Sequence, residues 1–303
     1  MKFMKRWPAP SWSWRGLVRE RRGRRAEGRR VQRILLVLGL AGLVLPACGG
    51  KDTAHVVAFR ATEPGPDRYG FDGPTSVQAG VLKIRLTNPG GVERSAQLLR
   101  LDPGHSVDEA LKTIYEPAQP SWMHAEGGVQ VVKPHHTESA TVKLDAGTYY
   151  VVDLNNGNDE NAPSYASKGA VHELAVTGRS TSKLPGASTV ITAREYAFGI
   201  PKLKPGENTV EFRNAGREIH VLVGAPLAPG KTFDDVKASL EGDGPPPLDM
   251  ASVVQATPLD GSKAEITKLD LKRGTYVFFC FFSDRSGGPP HMQLGMLQEV
   301  KVA

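Results

Sequence analysis

The feature that most constrains this chain is that it is written twice. Leu101-Asp-Pro-Gly-His-Ser-Val-Asp-Glu-Ala-Leu111 returns as Leu227-Ala-Pro-Gly-Lys-Thr-Phe-Asp-Asp-Val-Lys237, 126 residues later. Asn88-Pro-Gly returns as Asn214-Ala-Gly at the same offset, Gly147-Thr-Tyr-Tyr-Val-Val as Gly274-Thr-Tyr-Val-Phe-Phe one residue further on, and Gly169 as Gly295 at 126 again. Anchors in one order at nearly one offset mean a duplicated domain, since solenoid arrays repeat every ~20–50 residues. The boundary falls in the polar, Gly- and Pro-containing stretch 177–186. The expected organisation is therefore a targeting segment over 1–47, a tether over 48–54, a first domain over 55–178, a linker over 179–187 and a second domain over 188–303.

Within each copy the apolar pattern has the period of a strand. Val81-Leu-Lys-Ile-Arg-Leu86 and Asn208-Thr-Val-Glu-Phe-Arg213 alternate apolar and polar residues. Residues 276–282 are aromatic or small and apolar throughout, as a strand covered on both faces requires. Each copy has one helix start, at Ser106 or Thr232, with an acidic residue three positions on (Glu109, Asp235) in the manner of a reciprocal cap. Short strands separated by turn signals predict an all-β chain of two tandem Greek-key β-sandwiches, each with one short inserted helix.

The N-terminus is a different kind of sequence. Residues 1–33 carry twelve Lys or Arg against two acidic residues, so the formal net charge of +6 belongs to this segment and the remainder is net negative. No nucleic-acid partner follows from it. A twelve-residue apolar run over 34–45 comes next, too short for a span of about 20 residues but suited to a signal-peptide core. It ends Leu45-Pro-Ala-Cys48-Gly-Gly, which resembles the lipobox of bacterial lipoproteins. That resemblance implies cleavage before Cys48, lipidation of its sulfur, and both domains held outside the cytoplasm at the cell envelope.

Of the two cysteines in the chain, Cys280 is then left alone in an oxidising compartment and has no partner for a disulfide. It lies in the aromatic strand of the second copy. His220 precedes it after a turn, and His291 and Met296 follow in one loop. A soft thiolate, two imidazoles and a weak thioether form the donor set that suits copper cycling between its two oxidation states. The order His, Cys, His, Met, with Asn-x-Gly before the first His, Gly-Thr-Tyr before the Cys strand and His-x-x-x-Gly-Met after it, resembles the plastocyanin/azurin cupredoxin family. The resemblance implies one type 1 copper, with His220, Cys280 and His291 as equatorial ligands and Met296 as the axial one. The ten residues between Cys280 and His291 make a longer loop than small members of that family have.

The first copy has lost this set. Arg94, Asp153, Tyr165 and Ala170 stand at the corresponding offsets. Its histidines, His55, His105, His124, His135, His136 and His172, show no companion ligand pattern and read as surface residues. Tyr149, Tyr150 and Trp122 read as packing.

The expected function is one-electron transfer by a membrane-anchored copper protein with an unidentified redox partner, His291 offering the exposed edge. The alternative is a metal-free or copper-carrying binding module. Copper enzymes built from duplicated domains place a His beside the cysteine to reach a second metal. Here Phe279 and Phe281 flank Cys280, so the expectation is that the chain is not an enzyme.

Overall fold

A computed structural model describes residues 54–303 except 115, 117, 158–161 and 242–244. The signal segment 1–47, Cys48 and the tether up to residue 53 lie outside the described residues. Among those described, no helix is long and apolar enough to cross a membrane.

Strands of the first half are β1 (His55–Gly65), β2 (Arg68–Asp72), β3 (Ser76–Gln78), β4 (Gly80–Thr87), β5 (Arg94–Leu101), β6 (Met123–Val132), β7 (Thr137–Leu144), β8 (Gly147–Val152) and β9 (Val171–Thr177). The second half contributes β10 (Thr189–Arg194), β11 (Ala197–Gly199), β12 (Gly206–Asn214), β13 (His220–Pro226), β14 (Val254–Leu259), β15 (Ala264–Leu271), β16 (Gly274–Phe279) and β17 (Leu297–Val302). The pairings recur as the repeat requires. β1 runs parallel to β4 as β10 does to β12. β5 lies between β6 and β8 as β13 lies between β14 and β16. The fold is an all-β sandwich, as the alternating patterns predicted. β4 buries every second residue, while β13 and the end of β16 are buried on both faces.

Among the described residues each half carries one short α-helix, α1 (Val107–Thr113) and α2 (Phe233–Ser239). The reciprocal cap closes only in α2. There Thr232 Oγ1 accepts from Asp235 N while an Asp235 carboxylate oxygen accepts from Thr232 N at 2.8 Å. In α1 the Ser106 hydroxyl caps Glu109 N, but the Glu109 carboxylate is 3.2 Å from His105 Nδ1 instead of the cap backbone. A competing side-chain contact thus opens one side of the box.

The sequence did not foreshadow that the two halves share their sheets. One sheet of eight strands runs β11-β10-β12-β15-β7-β4-β1-β2, and one of nine runs β17-β16-β13-β14-β6-β5-β8-β9-β3. The seam strands meet at Glu265 opposite Val142, Ile266 opposite Thr141, and Leu259 opposite Glu126. Side chains reinforce this short ladder. The fully buried Glu265 carboxylate accepts from Gly128 N across the seam at 3.0 Å, from Thr257 N at 2.7 Å, and from the Thr257 hydroxyl. Glu126 lies between Arg100 (3.2 Å) and Lys263 (2.7 Å).

Two histidines expected at the surface are half-buried instead. His124 is held at the seam between Asp102 Oδ1 (3.0 Å) and Asp260 Oδ2 (2.9 Å), because the second half packs over its strand. His172 packs edge-on against Phe59 with its Nε2 3.0 Å from Pro74 O. His55, His135 and His136 are exposed, and His105 stacks on Trp122.

Candidate metal centre

Each site residue is delivered by its own backbone device. Asn214 fixes the turn before β13, its Nδ2 donating to Glu218 O (2.7 Å) and Leu259 O (2.8 Å) and its Oδ1 accepting from Gly216 N (2.9 Å). His220 is then the first residue of β13. Cys280 directly follows β16. His291 opens a 3-10 turn, His291–Leu294, that Gly295 closes at φ 114°, a left-handed conformation that any side chain disfavours. Backbone bonds tie these positions together: Met292 N to Cys280 O (2.9 Å), Met296 N to His291 O (2.9 Å) and Cys280 N to Met296 O (3.2 Å).

The result is a convergent trio. Cys280 Sγ lies 3.5 Å from His291 Nδ1 and 3.9 Å from His220 Nδ1, and the three donor atoms all fall within 4.8 Å of one another. Three donors each about 2.1–2.3 Å from a shared ion in a trigonal plane stand roughly 3.7 Å apart. The trio therefore fits one first-row metal ion with little movement. All three side chains have no solvent exposure. Met296 is equally buried in the core that holds Cys280 and Met292, with its main chain bonded to both Cys280 and His291.

Burial sets the electrostatics. Desolvation, followed by the neighbouring His291, pushes the His220 imidazole down to about 4. Desolvation also lowers His291, against the opposing pull of Asp284. Both rings are thus neutral near pH 7 and keep a lone pair for a metal. Desolvation pushes the Cys280 thiol up to about 12, so its sulfur carries charge only when a cation shares it. Val221 N donates to that sulfur at 3.5 Å. One thiolate and two neutral imidazoles in a dry pocket are soft donors, and they fit copper rather than magnesium or calcium.

The expectation of an exposed His291 edge is corrected. Tyr196 packs on the ring at 5.2 Å between centroids, and Asp284 Oδ1 is 3.1 Å from Nε2, because the long loop from Cys280 folds back over the histidine. Tyr196 Oη donates to the other oxygen of Asp284 at 2.8 Å. Glu195 is 4.0 Å from His220 Nε2 and accepts from Arg217 N and Glu218 N on the turn below. Sequence reasoning had not singled out Asp284, Tyr196 or Glu195. One signal was present, since Asp284 and Arg285 are a charged pair in an otherwise small-residue and proline loop.

The first half preserves this scaffold without the donors. Asn88 holds its turn through Val92 O, Val132 O and Gly90 N as Asn214 does. Ala170 N bonds Tyr165 O at 2.9 Å, and Asp153 N bonds Ala170 O at 3.1 Å, matching the Met296 and Cys280 bonds. Where the trio would stand, Arg94 Nε lies 2.5 Å from Asp153 Oδ2, with almost no exposure on either side. The Arg94 guanidinium also donates to Thr62 O and Gly70 O (3.2 Å each) and sits 5.2–5.6 Å from the rings of Tyr69, Phe71 and Tyr165. An internal cation fills the place of a bound one.

No family model matches the chain, and no curated protein is similar to it. Solved structures are. A dithionite-reduced auracyanin from Roseiflexus castenholzii is 25% identical, covering 39% of this chain and 99% of its own, at a TM-score of 0.27. A copper nitrite reductase from Nitrosomonas europaea is 14% identical, covering 83% of this chain and 94% of its own, at 0.27. A multicopper oxidase is 14% identical over 82% of this chain and 87% of its own, at 0.22. The expectation that the chain is not an enzyme is corrected by these neighbours, because those that span both halves include enzymes.

Proposed function

We propose that this cupredoxin-like chain is an extracytoplasmic copper protein, anchored by lipid at Cys48, whose second half transfers single electrons. The observation that carries the reading is the convergence of His220 Nδ1, Cys280 Sγ and His291 Nδ1 in a pocket closed to water. Those three residues would hold the metal, with the Met296 thioether as a fourth, weaker donor. Bound copper supplies reversible one-electron chemistry between Cu(I) and Cu(II). The protein's own contribution is to fix the donors before the metal arrives. Asp284, 3.1 Å from Nε2 of His291, orients that ring and keeps its proton on Nε2, leaving Nδ1 free. Phe279, Phe281, Phe282 and Met292 pack in the surrounding core and exclude water. The lipid anchor is supported by the apolar run at 34–45 and the Leu45-Pro-Ala-Cys48 sequence that ends it.

The test is a visible absorption spectrum of copper-loaded protein. A thiolate in a trigonal His₂Cys site gives an intense sulfur-to-Cu(II) charge-transfer band, and Cys280→Ser should abolish it. A folded, copper-treated wild type without colour overturns the electron-transfer reading.

A further inference from the structure

The long loop between Cys280 and His291 raises a mechanical question. Ten residues, including Gly287, Gly288, Pro289 and Pro290, separate two ligands that must keep a fixed separation. Exposed loops of this length open locally at little cost, whereas a metal site needs its ligands held within roughly half an ångström.

Arg285, beside the Asp284 that orients His291, answers it. Its guanidinium leaves the second half and enters the first. Nη1 donates to Pro120 O at 2.5 Å, and Nη2 donates to Met123 O at 3.1 Å, where β6 begins. Nη2 also meets both oxygens of Asp260 at 2.9 Å. Asp260 in turn is docked on the first half, its N–H bonded to Ala125 O at 2.8 Å and its Oδ2 2.9 Å from His124 Nδ1. The backbone N–H of Arg285 donates to Glu218 Oε2 at 2.7 Å, two residues before His220. One residue thus joins the loop to the turn before the first ligand and to the neighbouring half.

We propose that the ligand-free first half is the seat of the metal loop, with Arg285 the positioning residue that locks Asp284, and through it His291, onto β6. The inference rests on the copper reading of the site, and it assigns work to a half that has no donors of its own. The direction of the contacts supports it. Two of its acceptors are main-chain oxygens of the first half, Pro120 O just before β6 and Met123 O at its first residue, and the third is the Asp260 carboxylate, whose own backbone N–H is tied to Ala125 O of that half.

The experiment compares Arg285→Ala, Arg285→Lys and Gln97→Ala in the full chain. Gln97 Nε2 also crosses the seam, to Pro258 O at 3.3 Å, but does not reach the loop, so it controls for loss of seam contacts in general. Arg285→Ala should speed copper release to a chelator by about tenfold or more and weaken or shift the charge-transfer band. Arg285→Lys should recover part of both, and Gln97→Ala should leave both at wild-type values. In metal-free protein, hydrogen exchange at the Gly287 and His291 amides should accelerate in Arg285→Ala and not in Gln97→Ala. Should Arg285→Ala fail to fold, Asp260→Asn, which weakens the same ion pair, should show the same changes at smaller size. Wild-type release, spectrum and exchange in Arg285→Ala, or equal changes in Gln97→Ala, overturn the seat. A colourless wild type with accelerated loop exchange in Arg285→Ala overturns the copper reading and leaves the seat standing.

Discussion

Arg94 and His220 begin equivalent strands 126 residues apart, and where His220 stands beside Cys280, Arg94 is paired with Asp153 at 2.5 Å. The first half therefore holds a buried ion pair at the positions that carry the imidazole and the thiol in the second. Arg94 and Asp153 also satisfy each other's hydrogen-bonding needs through Thr62 O, Gly70 O, Ser95 and Asn155.

Removing one partner of that pair leaves an uncompensated buried charge. Arg94→Ala or Asp153→Ala should each cost about 3–5 kcal/mol, while Arg94→Met with Asp153→Leu should cost less than either single change. Chemical denaturation of the three variants against wild type checks this.

The intact backbone bonds around Asn88, Asp153, Tyr165 and Ala170 carry a bolder expectation. Arg94→His, Asp153→Cys, Tyr165→His and Ala170→Met together should give a second charge-transfer chromophore per chain. Copper content and band intensity, both about doubled, would report it; a single chromophore would show that the donors need more than this scaffold.

Met296→Leu should keep the colour and raise the reduction potential, because loss of a weak axial donor disfavours Cu(II). The rise is on the order of 60 mV for each tenfold loss of Cu(II) affinity relative to Cu(I). Redox titration measures it, and an unchanged potential would remove Met296 from the ligand set.

Glu265 predicts a pH dependence with a definite sign. Desolvation raises its carboxyl from 4.5 to about 7, against the hydrogen bonds from Thr257 and Gly128. The folded state holds this proton where the unfolded chain has released it. The resulting stability is complete below about pH 4.5 and is lost as pH rises through about 7, a difference of about 3 kcal/mol. Denaturation at pH 5 and pH 8 should show the loss, and Glu265→Gln should flatten it.

Anchoring has its own test. Cys48→Ser should leave the chain unlipidated, so a metabolic fatty-acid label present in wild type should vanish from the variant. Label that persists in Cys48→Ser would place the lipid elsewhere or remove it from the account.

What the sequence made legible was what is local or repeated. Strand alternation, the two helix starts and the turn asparagines each depend on residues a few positions apart, or on a copy of themselves, whereas the Cys280 trio, with His220 60 positions away, was legible through the order of its donor residues. The seam was not legible. It rests on two residue pairs between β7 and β15, one between β6 and β14, and on Glu265, which reads in sequence as an ordinary strand carboxylate. The burial of His291 was missed for a related reason. The ring is covered by Tyr196, 95 positions earlier in the chain, and by a loop whose path is decided by where Arg285 finds acceptors.

Sheets that continue from one half into the other make the peptide link at 179–187 redundant. That stretch is largely exposed and joins elements already held by β7 against β15, by Glu265 and by Arg285. A protease nick there would leave two fragments that co-purify as a non-covalent pair and unfold in one transition. The chain could equally be permuted or lengthened at that point without altering the copper site. Covalent continuity governs how the two copies are inherited together, and the seam governs how they stand.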